Sequence, residues 1–336
     1  MYARQSQILR HLQPAVARPL TAQLGKTAAS AALLHTTAPA ASTPIKNVVV
    51  YGSGLMGSGI VQVAAQNNFQ VTMVDLSPEM LNKGQGYIQS SLQRVARKKF
   101  ADSETQQQQF IDEIMTRVKT STDPMAPAES ADLVIEAIVE NVQTKRNLFS
   151  SLDAVAPRHT IFTSNTSSLP IARLAEATAP ERVSRFAGLH FFNPVPQMKL
   201  VEVVQTPQVD AVVVDDLVNF CLALKKSPVR CKDTPGFIVN RLLVPYMMEA
   251  MRLVERGEAT PEDVDTAMKL GAGYPMGPFQ LADYVGLDTM KFINDGWFKE
   301  GEGLAGKELV SPSKTLDELV KAGKLGRKSG EGFYKY

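Results

Sequence analysis

The chain has 336 residues, 44% hydrophobic and 21% charged, a composition that folds into a sizeable core, with room for two domains, and is too apolar for a disordered chain. Lys and Arg number 36 against 34 acids, a net +2; that balance does not announce a nucleic-acid binder, and no run of 18 apolar residues exists to span a membrane. Two cysteines, Cys221 and Cys231, exclude a disulfide scaffold, and four histidines without HExxH or paired CxxC spacing give no reason to expect a metal.

The first 45 residues carry Arg4, Arg10, Arg18 and Lys26 and no acid; the first carboxylate is Asp75. Arg4, Ile8, Leu9, His11 and Leu12 fit an amphipathic helix, and the Ala/Ser/Thr-rich stretch after it completes the composition of a mitochondrial transit peptide. A disordered tail or leader would also fit. We assign residues 1–43 to targeting into the mitochondrial matrix. Those four cations exceed the net charge of the whole, so the remainder is slightly acidic.

Ile45 to Gly52 reads as a β-branched strand and runs into Gly52-Ser53-Gly54-Leu55-Met56-Gly57, which opens a helical pattern. GxGxxG is weak alone, but strand before and helix after is the context in which it cradles a diphosphate: Gly52 for the turn, Gly54 for close approach, Gly57 for helix packing. A second strand, Gln70–Val74, ends in Asp75, placed to bond the adenine-ribose hydroxyls and repel a 2′-phosphate, so NAD is expected rather than NADP. A helix starts near Pro78 and ends in Arg94, Arg97, Lys98 and Lys99; this cluster is either a solvated helix end or a dock for a large anionic handle.

Three further strands are expected: Ala131–Val139, ending at Glu140 and Asn141; Thr160–Thr163, running into Ser164-Asn165-Thr166-Ser167-Ser168; and Leu189–Phe192, ending in Asn193-Pro194. In an open parallel sheet ligands gather beyond the carboxyl ends of strands, and Asp75, Glu140, the Ser164–Ser168 loop and Asn193 all fall there.

An enzyme oxidising a secondary alcohol with NAD needs a base for the hydroxyl proton, and histidine suits neutral pH. His11 and His35 lie in the leader, and His159 precedes its strand, at the opposite edge. His190 remains. If Leu189–Phe192 and Lys199–Val204 form a hairpin centred near Pro196, His190 faces Glu202, close enough for an imidazole–carboxylate bond. A hydrogen-bonded core histidine beside an unrelated Glu would explain the same residues, but the register favours the pair.

Thr234 and Pro235 are expected to cap a helix from Phe237 to Glu255, kinked at Pro245 and apolar nearly all round, hence buried on several sides within its domain or against a second subunit. Asn240 is its polar exception, explained by a buried hydrogen-bond network or by a substrate contact. A second helix starts at Thr260-Pro261 and stops at Gly271, and Gly326–Gly332 reads as a flexible basic loop before the terminal Phe333–Tyr336.

Together GSGLMGSGI (52–60), EAIVEN (136–141), SNTSSL (164–169), FAGLHFFNPVPQMKLVEV (186–203), DTPGFIVNRLL (233–243), GAGYPMGPF (271–279) and GEGFYKY (330–336) resemble the L-3-hydroxyacyl-CoA dehydrogenases of the mitochondrial short-chain type, from Ile45 to the end. The resemblance implies an α/β fold: a Rossmann-like doubly wound, mostly parallel sheet in an NAD-binding domain (44–232), then an all-helical C-terminal domain (233–336) forming the substrate cleft and dimer contact. It implies an NAD-dependent homodimer oxidising acyl-CoA substrates in fatty-acid β-oxidation. His190 would be the base paired with Glu202, and Ser167 and Asn240 would contact the substrate oxygen. NAD contacts would come from Gly52, Ser53, Gly54, Leu55, Met56, Gly57, Asp75, Glu140, Lys145, Ser167, Asn193 and Lys328. CoA contacts would come from Ser91 and Lys98, besides Ser167. A 3-hydroxybutyryl-CoA or sugar-acid dehydrogenase on the same scaffold is the alternative within enzymes, distinguished by whether the Arg94–Lys99 cluster is needed. A non-catalytic nucleotide-binding regulator is the alternative outside them, against which the intact set of four site residues speaks.

Overall fold

A computed structural model describes residues 44–300 and 310–336; the leader assigned to 1–43 lies outside the described residues. In chain order the sheet-forming region runs β1 (Asn47–Tyr51), α1 (Leu55–Gln66), β2 (Gln70–Val74), α2 (Pro78–Lys99), α3 (Glu104–Met115), β3 (Val118–Ser121), β4 (Leu133–Glu136), α4 (Val142–Asp153), β5 (Ile161–Ser164), α5 (Ile171–Ala175), α6 (Pro180–Val183), β6 (Phe186–Phe191), β7 (Leu200–Gln205), α7 (Ala211–Ala223) and β8 (Ser227–Lys232). Helices follow: α8 (Val239–Glu255), α9 (Pro261–Gly271), α10 (Pro278–Val285), α11 (Leu287–Glu300) and α12 (Lys314–Lys321).

The eight strands form one sheet in the order β3-β2-β1-β4-β5-β6-β7-β8. Neighbours from β3 to β6 are parallel, β6 and β7 are antiparallel, and β7 and β8 are parallel. Successive side chains of a strand face opposite sides. Val48 and Val50 therefore enter one apolar layer with Ile60, Ile88 and Leu217, while Val49 and Tyr51 enter the other with Phe149 and Phe162. Both layers are covered, which is why the inner strands read as unbroken apolar runs. The outer strands give weaker signals: β3 is VKTS and β8 is SPVRCK, half-exposed, with a proline and charges that only an edge tolerates.

Four expectations are revised. The strand expected over Ala131–Val139 is shorter, because the Glu136 carboxylate takes the Ile138 amide and turns the chain. The Thr234 cap does not form: Gly236 and Phe237 adopt positive φ, α8 begins at Val239, and its first free amides, Ile238 and Val239, donate to Glu202 across the domain. Within its own domain α8 is not buried all round: Val244, Met247, Met248 and Met251 face the helical core, whereas Leu242 stays 68% exposed.

The C-terminal Gly326–Gly332 segment is anchored rather than flexible. Asp283, buried in α10, accepts from the Phe333 and Tyr334 amides and the Tyr336 hydroxyl, and the Arg327 guanidinium stacks over the Tyr336 ring. In α9 the buried Asp265 acts likewise, accepting from the Phe279 and Gln280 amides at the start of α10 and from the Tyr334 hydroxyl.

Candidate active site

The β6–β7 hairpin has the expected register, with His190 opposite Glu202. Both are buried. His190 Nδ1 lies 2.8 Å from Glu202 Oε2, and His190 Nε2 lies 2.9 Å from Ser167 Oγ in the loop after β5. Glu202 Oε1 accepts the α8 amides of Ile238 at 3.0 Å and Val239 at 2.9 Å. Burial works to raise the Glu202 pKa, but the bonds from His190 and from these amides outweigh it and hold the carboxyl below the ordinary range. Asn240, one residue into the same helix, has its amide nitrogen 3.5 Å from the Ser167 carbonyl. One carboxylate thus positions the imidazole and also fastens the helix that brings Asn240 over the loop. Phe192 and Phe237 flank the ring at centroid distances of 4.5 and 5.6 Å.

His159 lies at the opposite edge, 3.3 Å from Asp132 and half-exposed.

The glycine turn fits a dinucleotide. A Cβ on Gly52, whose φ is +103°, would lie 2.4 Å from the Ala137 carbonyl oxygen, and one on Gly57 would lie 1.8 Å from that of Gly52. These two glycines are demanded by the fold. A Cβ on Gly54 would meet nothing within 4 Å. Open space in front of Gly54, and an α1 N-terminus with no side-chain cap and no acid in its first turn, are what a diphosphate requires. Asp75 Oδ2 accepts from the Ser53 amide at 2.7 Å and hydroxyl at 2.6 Å, which fixes the carboxylate at the rim.

Two cavities open along this edge and share Ala137 and Ile138. One, of about 560 Å³, is lined by Gly52, Gly54, Asp75, Leu76 and Leu148; the other, of about 520 Å³, by Met56, Glu140, Lys145, Ser167, Asp288 and Phe292. Glu140 accepts from Thr166 Oγ1, from Ser168 Oγ at 3.0 Å and from the Ser167 amide at 3.3 Å, and pairs with the buried Lys145 at 3.0 Å. Burial opposes its ionisation, yet Lys145 and Thr166 bring its pKa down. Lys328 pairs with Asp288 on the far wall of the second cavity.

Asn193 is set apart from the second cavity: with Ser91, Arg94 and Tyr87 it lines a smaller one of about 170 Å³. Lys98 is exposed two turns beyond Ser91 on α2, outside that lining. Leu55 is exposed at the mouth of the turn. Sequence reasoning placed the Ser164–Ser168 loop at the ligand edge but gave no individual role to Asn165, Thr166 or Ser168, and none to Glu136. Asn165 Oδ1 accepts the Phe191 amide at 2.8 Å, tying the serine loop to the histidine strand. The signal available for Glu136 was a lone acid inside an apolar strand.

Residues 47–234 match the family described as 3-hydroxyacyl-CoA dehydrogenase, NAD binding domain, and residues 236–336 its C-terminal domain. The chain belongs to the 3-hydroxyacyl-CoA dehydrogenase family. It is an NAD-dependent oxidoreductase of that family. It is 56% identical over 292 residues to hydroxyacyl-coenzyme A dehydrogenase, mitochondrial, of Homo sapiens, covering 87% of this chain and 91% of the relative. Among solved structures, FadB2 of M. tuberculosis superposes with a TM-score of 0.79 at 41% identity, over 87% of this chain and 99% of that one. The (S)-3-hydroxybutyryl-CoA dehydrogenase PaaH1 of Ralstonia eutropha gives 0.79 at 38%, with the same coverage.

Proposed function

We propose that this dehydrogenase oxidises L-3-hydroxyacyl-CoA to 3-oxoacyl-CoA with His190 as the base. The observation that carries the reading is the commitment of one imidazole nitrogen. Glu202 Oε1 already accepts two backbone amides, and Oε2 accepts from His190 Nδ1. The proton of the neutral ring therefore sits on Nδ1, and Nε2 presents its lone pair at the Ser167 hydroxyl. A substrate hydroxyl held by Ser167 and Asn240 gives its proton to Nε2, and the buried carboxylate stabilises the imidazolium that forms. Bound NAD supplies the acceptor for the hydride that leaves C3.

Gly52–Gly57 and Asp75 would hold the diphosphate and adenine ribose in the first cavity. The second cavity, with Glu140, Lys145, Ser167 and the Lys328–Asp288 pair, would take the nicotinamide; Asn193 lines the smaller cavity with Ser91 instead. Ser91, Lys98 and the small cavity beside Arg94 suit the CoA handle. In this reading residues 44–232 bind the cofactor, and residues 233–336 close the substrate cleft and form a homodimer through α8 and α9. Leu242 and Leu270 are 68% and 83% exposed there, and the buried Nη1 of Arg241 and hydroxyl of Tyr246 lack a hydrogen-bond partner among the described residues. The acid-free leader 1–43 and the mitochondrial name of the human relative support a place in matrix β-oxidation.

The test is NADH consumption with acetoacetyl-CoA, longer 3-oxoacyl-CoAs and free acetoacetate. Thioesters should be reduced and the free acid not; equal rates on the free acid would refute the CoA reading. A 3-hydroxybutyryl-CoA preference, which the Ralstonia relative's name favours, would appear as activity falling steeply with chain length.

A further inference from the structure

Glu136, at the end of β4, is fully buried and has no role in the proton transfer above. Every contact its carboxylate makes is to a donor: Oε1 accepts from the Ile138 amide at 2.7 Å and the Lys145 ammonium at 2.6 Å, and Oε2 from the Ser164 hydroxyl at 2.5 Å. Lys145 is itself buried, and its other ion pair is with Glu140. The three side chains form one line, two carboxylates around a single ammonium. Among the described residues neither carboxylate pairs with a second cation. Across the cavity Lys328 and Asp288 offset one another. Burial raises the Glu136 pKa against the pull of Lys145; with the ammonium at 2.6 Å and two further donors on its oxygens the carboxylate is counted as ionised, which leaves the wall formed by Glu140 and Lys145 one negative charge in excess.

The oxidised nicotinamide ring is cationic and the reduced ring neutral. Resting on the reading that the nicotinamide occupies this second cavity, we propose that Glu136 sets the preference of the site for the oxidised cofactor, by keeping the Glu136–Lys145–Glu140 line at a net charge of −1. Without Glu136, Lys145 and Glu140 would cancel and the cavity would lose its discrimination between the two redox states. The glycine turn and Asp75 meet portions of the cofactor that do not change charge, so they bind both forms alike.

The experiment measures dissociation constants for NAD and NADH separately, by calorimetry without substrate, on the full chain. Glu136→Gln brings the line to zero charge, and the ratio Kd(NAD)/Kd(NADH) should rise on the order of tenfold. Lys145→Met brings it to −2, and the ratio should fall. The double variant Glu136→Gln/Lys145→Met restores −1, and the ratio should return to that of the unaltered chain even where both affinities have dropped. Ser164→Ala removes a hydrogen bond to Glu136 without changing charge and should leave the ratio in place. Equal effects of Glu136→Gln on both forms, or no recovery in the double variant, would overturn the proposal. Should Glu136→Gln not fold, Lys145→Met decides alone, and an unchanged or raised ratio overturns it. Failure of the unaltered chain to bind either form would overturn the cofactor reading, and this inference with it.

Discussion

Replacing Glu202 by Gln preserves shape and removes one charge, and the structure dictates how the new amide must sit. Two backbone N–H groups, Ile238 at 3.0 Å and Val239 at 2.9 Å, converge on Oε1. Only the carbonyl oxygen of the glutamine can face them, so its NH2 group faces His190 Nδ1. A ring nitrogen that receives a donor cannot also carry a proton, so the tautomer inverts: Nε2 becomes the N–H, and the lone pair that should accept the substrate proton is gone. Loss of a positioned base of this kind costs about 10²–10⁴ in turnover, while NADH affinity, set elsewhere in the crevice, should hold. Losing the charge on a buried group with three donors should also destabilise the fold by about 1–3 kcal/mol. The pH dependence follows from the sign of the shift. Glu202 is held below its unfolded pKa, so its contribution is complete above that unfolded value and disappears as pH falls through the folded one; the Gln variant should lack this portion of the acid transition. The assay is kcat and KM for acetoacetyl-CoA from NADH absorbance, with NADH binding measured in parallel. Wild-type kcat, or a raised KM at unchanged kcat, would refute the tautomer argument.

His190→Gln should lower turnover by about 10²–10⁴ with NADH binding nearly intact; loss of binding in a fluorescence titration would make His190 structural. Gly54→Ala and Gly57→Ala separate cofactor approach from folding. The first adds a methyl where nothing lies within 4 Å and should weaken NAD at least tenfold with the thermal midpoint unchanged. The second drives Cβ to 1.8 Å from the Gly52 carbonyl and should lower that midpoint. Asp283→Ala strips the C-terminal tail of the acceptor for two amides and a hydroxyl. It should cost about 2–4 kcal/mol in denaturant unfolding; a change below about 0.5 kcal/mol, no more than an ordinary surface substitution, would mean the tail is held by its rings alone.

The local signals that sequence carries, period and turn chemistry, were enough for the strand–glycine turn–helix at residues 47–66, the acid closing β2 and the register of the β6–β7 hairpin. With the bend between the two strands centred near Pro196, alternation sets His190 opposite Glu202, and the observed register has that pairing. Tertiary structure alone decided where each side chain spends its hydrogen bonds. Thr234 stands where a helix cap belongs, yet the α8 amides go to Glu202, far earlier in the chain, because the folded sheet brings a carboxylate to them. Glu136, one acid in an apolar strand, gains its role only when Lys145 from the next helix and Ser164 from the neighbouring strand arrive on its two oxygens. Asn193 and Ser91, far apart in the chain, share a cavity for the same reason. Periodicity and propensity are properties of a few consecutive residues; the satisfaction of a buried charge is a property of everything that surrounds it.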